Sequence, residues 1–145
     1  LLQLTEQQFQ KKGISLSSEE KNRIENGLEA LKPRAQNLIE LAEQANIYRN
    51  LRPISINDES HLNTISEQKE LLTQLSEKLQ SIENWTQEHI DVTIKEFLTE
   101  KGLKLGKIGP SLRLVLTGQS LAPGVFEVMF ALGKEETILR LKDYC

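Results

Sequence analysis

The sequence is poor in the residues that carry out most protein chemistry. Aromatic residues make up 5% of it, and it holds one cysteine, Cys145, and two histidines, His61 and His89. A single cysteine excludes a disulfide framework and a cysteine-based zinc site within one chain. Neither histidine has a carboxylate or cysteine at metal-ligand spacing. We therefore expect no metal site, and we expect both histidines to be ordinary helix residues.

Long hydrophobic runs are also missing. No stretch approaches the roughly 18 apolar residues of a membrane-spanning helix, and residues 1–6 lack the basic and apolar regions of a signal peptide. The first residue is Leu1 rather than methionine, which indicates a piece of a longer protein. We expect a cytoplasmic chain with no membrane partner.

No arrangement of side chains resembles a catalytic site. Residues 102–107 have the glycines and lysine of a phosphate-binding loop, but three residues rather than four separate the glycines, and Ile108 follows the lysine. The carboxylates are scattered in a pattern typical of solvated helix faces. We expect the chain to bind rather than to catalyse.

What is present is a helical pattern. The 145 residues, 38% of them hydrophobic, suffice for one domain or for two small subdomains. Apolar residues recur at helical spacing, and no segment alternates as a strand does. The predicted helices cover residues 5–12, 17–31, 35–48, 58–82, 86–102, 111–116, 123–132 and 134–142. We predict a capping box between Ser17 and Glu20, a Thr86 cap on the helix over 86–102, and Gly102 at the end of that helix. We predict an all-α fold in which long helices are followed by a compact set of short ones, with subdomains at 1–82 and 83–145.

Charge is distributed unevenly along the chain. The net charge is −3, yet residues 1–100 hold 11 basic and 17 acidic residues, whereas residues 101–145 hold 7 and 4. Four basic residues lie within thirteen positions without an acid among them: Lys101, Lys104, Lys107 and Arg113. A local basic surface of this kind can meet a polyanion despite the mild global charge. The alternative is an ordinary solvated surface.

Two stretches resemble one known family. The longer stretch runs from Glu83 to Glu135 and the shorter from Leu31 to Ala42. The motifs of the longer stretch, in order, are Trp85-Thr86, Lys101-Gly102-Leu103-Lys104-Leu105-Gly106, Pro110, Leu112-Arg113, Leu116-Thr117-Gly118, Pro123-Gly124-Val125-Phe126-Glu127 and Leu132-Gly133-Lys134-Glu135. The shorter contains Lys32-Pro33-Arg34 with Leu38 and Leu41-Ala42. Their order and spacing are similar to the C-terminal part of bacterial-type glutamyl-tRNA synthetases, which are class I enzymes.

The resemblance implies an all-helical cage, the anticodon-binding domain, that grips the anticodon arm of tRNA(Glu). The family's nucleotide-binding signatures are missing here, so this chain resembles the anticodon-binding portion alone and is expected to be a monomer. The parent enzyme would attach glutamate to tRNA with ATP and Mg²⁺, and this portion would hold no cofactor. A non-catalytic protein-interaction domain derived from the same fold is the alternative.

Arg34 aligns with the family arginine that inspects the third anticodon base. Glutamate anticodons end in cytosine, which presents acceptors, and glutamine anticodons end in guanine, which presents donors on the same edge. Because arginine only donates hydrogen bonds, it should bind cytosine in preference to guanine. We expect this preference to amount to about 1–3 kcal/mol of binding free energy. This predicts a discriminating enzyme, while a non-discriminating enzyme that also charges tRNA(Gln) stays open, as does an Arg34 that only faces solvent.

The first two anticodon bases are assigned by the same resemblance. Arg113 aligns with a family arginine near them, unless it forms a salt bridge to a neighbouring helix. The turn Ala122-Pro123-Gly124-Val125 aligns with the loop that touches them, and Thr117, Gln119 and Ser120 are further polar candidates. The family usually has serine or threonine where Ala122 stands, and we expect its absence to weaken helix capping by about 0.5–2 kcal/mol.

The remaining candidates have more general roles. Lys101, Lys104 and Lys107 are expected to contact phosphates, which gives salt-dependent affinity without sequence preference. The aromatic residues are expected in the core rather than stacked on bases; they are Trp85, Phe97, Phe126 and Phe130.

Overall fold

The computed structural model describes residues 2–49, 52–56, 58–118 and 124–144, without the side chain of Arg34. All regular structure in these residues is helical, which confirms the predicted all-α fold. The helices are α1 (Leu2–Lys11), α2 (Ser18–Leu31), α3 (Leu38–Ala45), α4 (Glu59–Glu67), α5 (Lys69–Gln80), α6 (Gln87–Lys101), α7 (Leu105–Thr117), α8 (Val125–Leu132) and α9 (Lys134–Lys142), with 3₁₀ turns at Lys32–Arg34 and Asn46–Tyr48.

Local sequence determines several of the helix ends. The Ser17 hydroxyl accepts from the Glu20 amide, and the Glu20 carboxylate accepts from the Ser17 amide, at 3.1 and 2.9 Å, as the predicted capping box requires. Thr86 caps α6 by accepting from the His89 amide. Gly102 ends α6 with a left-handed φ of +67°, a conformation that glycine adopts without strain.

The long helix predicted over residues 58–82 is instead two helices, α4 and α5. They meet at Gln68, which is 8% exposed and turns its side chain into the protein. Its amide nitrogen donates to the Lys107 carbonyl at 2.8 Å, and its amide oxygen accepts from the Ser111 hydroxyl. The break therefore places the buried side-chain amide of Gln68 where α7 can pair with both its nitrogen and its oxygen.

Two other predicted helices have different bounds. The segment predicted over 35–48 is α3, which Asn37 caps by accepting from the Glu40 amide, followed by the 3₁₀ turn at Asn46–Tyr48. The helix predicted over 111–116 is α7, which begins six residues earlier and contains Pro110. Proline disfavours a helix interior, but this helix buries an extended apolar face that includes Ile108 and Leu112.

Leucine and isoleucine fill most of a continuous hydrophobic core. Helix α2 packs against α8, and α5 packs against α9, so helices before and after residue 82 share this core. The predicted subdomain division at 82/83 stays a prediction. Trp85 is partly buried and its indole nitrogen donates to the Met129 carbonyl at 2.8 Å, while Phe97 is buried. Their predicted role in the core is confirmed.

A membrane-spanning helix needs about 18 or more consecutive, mostly apolar residues, and the helices of residues 2–49, 52–56, 58–118 and 124–144 include none. Across the same segments, no three histidine, cysteine, aspartate or glutamate side chains come together as a metal site would need.

Candidate nucleic-acid interface

Three exposed lysines lie around the junction between α6 and α7, and we call Lys101, Lys104 and Lys107 the lysine face. Lys101 is in the last turn of α6 with its ammonium 5.9 Å from the centre of the Phe97 ring. Lys104 and Lys107 are three residues apart at the start of α7, and such a spacing brings helical side chains to the same side. Gly102, through its left-handed turn, connects the two helices. The predicted phosphate-contacting lysines are therefore neighbours at one junction.

The N-terminus of α7 has the features of an anion-binding helix end. Lys104 is its N-cap residue and makes no side-chain capping bond, and no acidic residue lies in the first turn. Side chains cap α2, α3, α4 and α6, and the other helices without a side-chain cap, α5, α8 and α9, each have glutamate in the first turn. Lysine beside a helix N-terminus opposes the helix dipole, whereas a bound anion would be stabilised by the dipole, the backbone amides and the lysines together. Phosphate groups of RNA match this chemistry.

Arg113 lies on α7 and is half-buried. Its guanidinium is 3.7 Å from the point that a Cβ on Gly109 would occupy, so the side chain extends back toward the N-terminal half of α7. It forms no ion pair with any side chain in the described part of the chain. The alternative prediction, a salt bridge to a neighbouring helix, finds no support there, and the charge of Arg113 adds to the positive end of α7.

Thr117 and Val125 are both buried. Thr117 is 6% exposed and its hydroxyl donates to the Arg113 carbonyl at 2.6 Å. Val125 is 4% exposed and belongs to the core. These positions favour a supporting role for both residues. Gly124 is half-buried, and a Cβ there would be 3.5 Å from the Glu127 carboxylate.

Helix α8 begins at Val125 with Gly124 as its N-cap, and the predicted capping effect at residue 122 stays a prediction. Ala122 and Pro123, together with Gln119 and Ser120, lie outside the described residues. The backbone of Arg34 ends a 3₁₀ turn after α2, and its side chain lies outside the described atoms.

Arg140 is the main charged residue that the sequence analysis missed. It is fully buried on α9, and its guanidinium donates to the carbonyls of Ile47, Leu116 and Arg49 at 2.8, 2.7 and 2.8 Å. Its Nε donates to Glu136 at 2.9 Å. A lone arginine in a helical pattern looks the same in sequence whether it is solvated or buried. The one sequence signal was the i,i+4 spacing of Glu136 and Arg140, which is compatible with an ion pair that orders the Arg140 side chain.

The surroundings of Arg140 show how this charge is tolerated. Burial lowers the pKa of Arg140, and the hydrogen bond and charge of Glu136 oppose that shift. Glu136 also pairs with the nearly buried Arg23, with N···O 3.4 Å. Burial raises the pKa of the Tyr48 hydroxyl, and the charge of Glu127 adds to this. A charge that is paired and donates to several carbonyls can remain inside a protein.

Asp143 and Tyr144 also contact the segment that follows the 3₁₀ turn at Asn46–Tyr48. Asp143 accepts two hydrogen bonds from the Arg52 guanidinium, each 2.9 Å, and this bond raises the pKa of Arg52. The Tyr144 hydroxyl donates to the Ile54 carbonyl. Ile54 and Ser55 pass beside Gly118, where a Cβ would lie 2.9 Å from the Ile54 Cγ2 atom. The end of α7 and residues 47–49 and 52–55 are thus held together by residues 140–144.

The chain was compared with known proteins. A family model described as "Anticodon binding domain" matches residues 1–145. Among curated relatives, a protein named glutamate–tRNA ligase 2 from a Chelativorans species is 32% identical over 128 residues, 88% of this chain and 27% of the relative. Another protein of that name, from Rhodospirillum rubrum, is 37% identical over 117 residues, 81% of this chain and 25% of the relative.

Solved structures give the same result. A glutamate tRNA ligase from Elizabethkingia meningosepticum, crystallised in complex with its amino acid, has a TM-score of 0.80 and 27% identity over 99% of this chain and 28% of its own. A glutamate-tRNA synthetase from Elizabethkingia anophelis has a TM-score of 0.76 and 26% identity, over 99% and 27%. The chain spans about a quarter of the length of these relatives. Because the family model covers every residue and the fold matches, the chain belongs to the anticodon binding domain family, in the form found in glutamate–tRNA ligases.

Proposed function

We propose that this chain recognises the anticodon arm of tRNA(Glu), as the C-terminal part of a ligase that attaches glutamate to tRNA. The observation that carries the proposal is the positive end of α7: an uncapped helix N-terminus with the lysine face around it and Arg113 extending toward it. Helix amides, lysines and an arginine are the groups that contact the RNA backbone. Membership of the anticodon binding domain family supports the same partner.

Within this proposal the basic residues have two tasks. The lysine face attracts phosphates and contributes affinity without sequence preference. Arg34 and Arg113 read base edges, because anticodon bases are single-stranded and present their Watson–Crick edges. Arg34 selects cytosine at the third anticodon position, and Arg113, with Ala122, Pro123 and Gly124, acts on the first two. Thr117 and Val125 support that turn from the core.

The parent activity belongs to the same proposal. The ligase uses ATP and Mg²⁺ in a part that this chain does not contain, and the chain itself binds no cofactor. We expect it to act as a monomer in the cytoplasm.

The test is a titration of the chain with a fluorescent anticodon stem-loop of tRNA(Glu), followed by anisotropy at several salt concentrations. The wild-type chain should bind, and its affinity should fall steadily with salt. Replacing all three residues of the lysine face by glutamine should lower the slope of log K against log salt by about 2. Lys95→Gln is the matched control, because Lys95 is equally exposed but pairs with Asp91 on α6, with N···O 3.0 Å.

Arg34→Gln tests base reading separately from charge. The wild-type chain should prefer a third-position cytosine to guanine by about 5- to 150-fold, the range that 1–3 kcal/mol implies. Arg34→Gln should reduce that preference more strongly than it reduces the salt slope. Absence of binding and of a salt slope would favour the protein-interaction domain instead, while binding without a cytosine preference would favour a non-discriminating ligase.

A further inference from the structure

Residues near the C-terminal end join two segments that are distant in sequence, the residues after α3 and the end of α7. Arg140 binds the carbonyls of Ile47 and Arg49, just after α3, and the carbonyl of Leu116 near the end of α7. Asp143 binds Arg52, and Tyr144 binds Ile54. We call Arg140, Asp143 and Tyr144 the clasp.

The clasp fixes α7 from its C-terminal end. Leu116 is held through its carbonyl by a fully buried guanidinium, at 2.7 Å. Gly118 lies against Ile54 and Ser55, with so little room that a Cβ would be 3.2 Å from the Ser55 carbonyl oxygen. Arg113 is one helical turn before this anchored end. The position of α7 therefore depends on residues 47–49 and 52–55.

Those residues in turn follow the part of the chain that carries Arg34. The 3₁₀ turn Lys32–Arg34 packs on α2, α3 packs on α2, and the 3₁₀ turn Asn46–Tyr48 packs on both α2 and α3. Tyr48 is fully buried, and its ring would contact a Cβ on Gly27 of α2 at 2.4 Å. The clasp thus holds α7 against a closely packed unit that includes the turn carrying Arg34.

We propose that Arg140, Asp143 and Tyr144 position α7, with Arg113, relative to the turn that carries Arg34, and that they thereby set selectivity for the anticodon without touching RNA. This inference rests on the proposed function. Reading several adjacent bases together requires the reading side chains to keep a fixed separation, because a shift at one base edge misaligns hydrogen bonds at the next. The guanidinium fork of Arg140 suits this task, since it donates to three carbonyls in fixed directions.

The test compares selectivity in fully folded samples. Selectivity is the ratio of affinities for the tRNA(Glu) stem-loop and for stem-loops changed at the third or at the first anticodon base. The variants are Arg140→Lys and the pair Arg52→Gln with Tyr144→Phe, which removes two clasp contacts near the surface. Each should lower the ratio by about tenfold, while the salt slope stays unchanged because the lysine face is untouched.

Two controls separate positioning from stability. Lys21→Gln breaks the Lys21–Glu6 pair, whose side chains are 40% and 24% exposed, close to the 35% and 19% of Arg52 and Asp143. It should leave the ratio unchanged. Exchanging the charges with Arg52→Asp and Asp143→Arg should rescue the selectivity that Arg52→Gln loses. Circular dichroism at the titration temperature confirms that each sample is folded.

The outcomes distinguish the two proposals. A selective wild-type chain whose selectivity survives in both clasp variants overturns the positioning role and leaves the proposed function intact. If the loss of selectivity in each variant is fully explained by its fraction of unfolded protein, the positioning role is also overturned. A wild-type chain that binds the stem-loops without base selectivity overturns the positioning role, and one that does not bind them overturns both proposals.

Discussion

The Arg140 cluster and the lysine face use positive charge in opposite ways. Arg140 is fully buried and directs its hydrogen bonds at three carbonyls and Glu136, whereas the lysine face is exposed, with Lys101 over an aromatic ring. The same contrast holds for glycine. Gly27 is pressed against Tyr48, while Gly106 beside the lysine face has no atom within 4 Å of its Cβ position. One region fixes geometry, and the other offers mobile charge.

Under the proposed function, this contrast would let one small domain combine attraction to phosphates with selective reading of bases. Directed hydrogen bonds lose their value when partners move by a few tenths of an ångström, whereas attraction between exposed charges changes slowly with distance. A rigid region therefore suits base recognition, and a solvated basic surface suits the phosphate backbone. If the contrast is right, changes in the two regions should affect different measurable properties.

The largest expected effect is that of Arg140→Met. The change leaves the carbonyls of Ile47, Leu116 and Arg49 without their buried donor. Breaking a buried ionic arrangement from one side destabilises a protein by about 3–5 kcal/mol. Denaturant unfolding should show a large drop in the midpoint, whereas Lys142→Met, an exposed change on the same helix, should show almost none. Equal midpoints for the two variants would mean that the buried hydrogen bonds contribute little.

Next in size is the difference between two glycine-to-alanine changes. Gly27→Ala places a methyl group 2.4 Å from the Tyr48 ring. Overpacking of this kind destabilises by about 1–3 kcal/mol, against a gain in helix propensity of about 1 kcal/mol. Gly106→Ala, with open space around it, should receive the gain without the loss. Thermal unfolding of both variants measures the difference.

A double variant sharpens this glycine comparison. In a Tyr48→Leu background the ring is absent, so Gly27→Ala should no longer destabilise the chain. A penalty that persists in that background would show that Tyr48 does not limit the space at Gly27.

An effect of similar size is expected at Gln68, the buried anchor beneath the lysine face. Gln68→Leu leaves the Ser111 hydroxyl without the amide oxygen that accepts from it and removes the side-chain hydrogen bond to the Lys107 carbonyl, which should destabilise by about 1–3 kcal/mol. Adding Ser111→Ala should recover part of the loss, since both polar partners are then gone. Gln80→Leu, at the exposed end of α5, is the control for added apolar surface. If the two leucine variants unfold at the same midpoint, the Gln68 bridge is unimportant for stability.

These regions also differ in how far the sequence predicted them. The capping box at Ser17–Glu20, the Thr86 cap and the glycine end of α6 were predicted correctly, because each depends on residues within one helical turn. The lysines around α7 were found for a similar reason, since their proximity follows from short spacing.

What sequence reasoning missed depends on distant partners. The break at Gln68 arises from contacts with residues 39 and 43 positions away, and the burial of Arg140 arises from carbonyls 24 to 93 positions away. The start of α7 was predicted too late because burial of the apolar face of α7 outweighs the unfavourable effect of Pro110 on a helix. The assignments of Arg34, Ala122 and Pro123 came from family resemblance and stay predictions.

The smallest effect on stability is expected in the lysine face itself. Lys104 and Lys107 are exposed and lie at the start of α7, where positive charge opposes the helix dipole. Lys104→Gln with Lys107→Gln should therefore change the free energy of unfolding by less than about 0.5 kcal/mol, and toward greater stability at low salt. The same variant should lower the slope of log K against log salt for the stem-loop by about 1.4. Thermal unfolding and anisotropy on one preparation measure both properties. A clear loss of stability would show that these lysines support the fold, and the contrast between fixed and mobile charge would then fail at its simplest point.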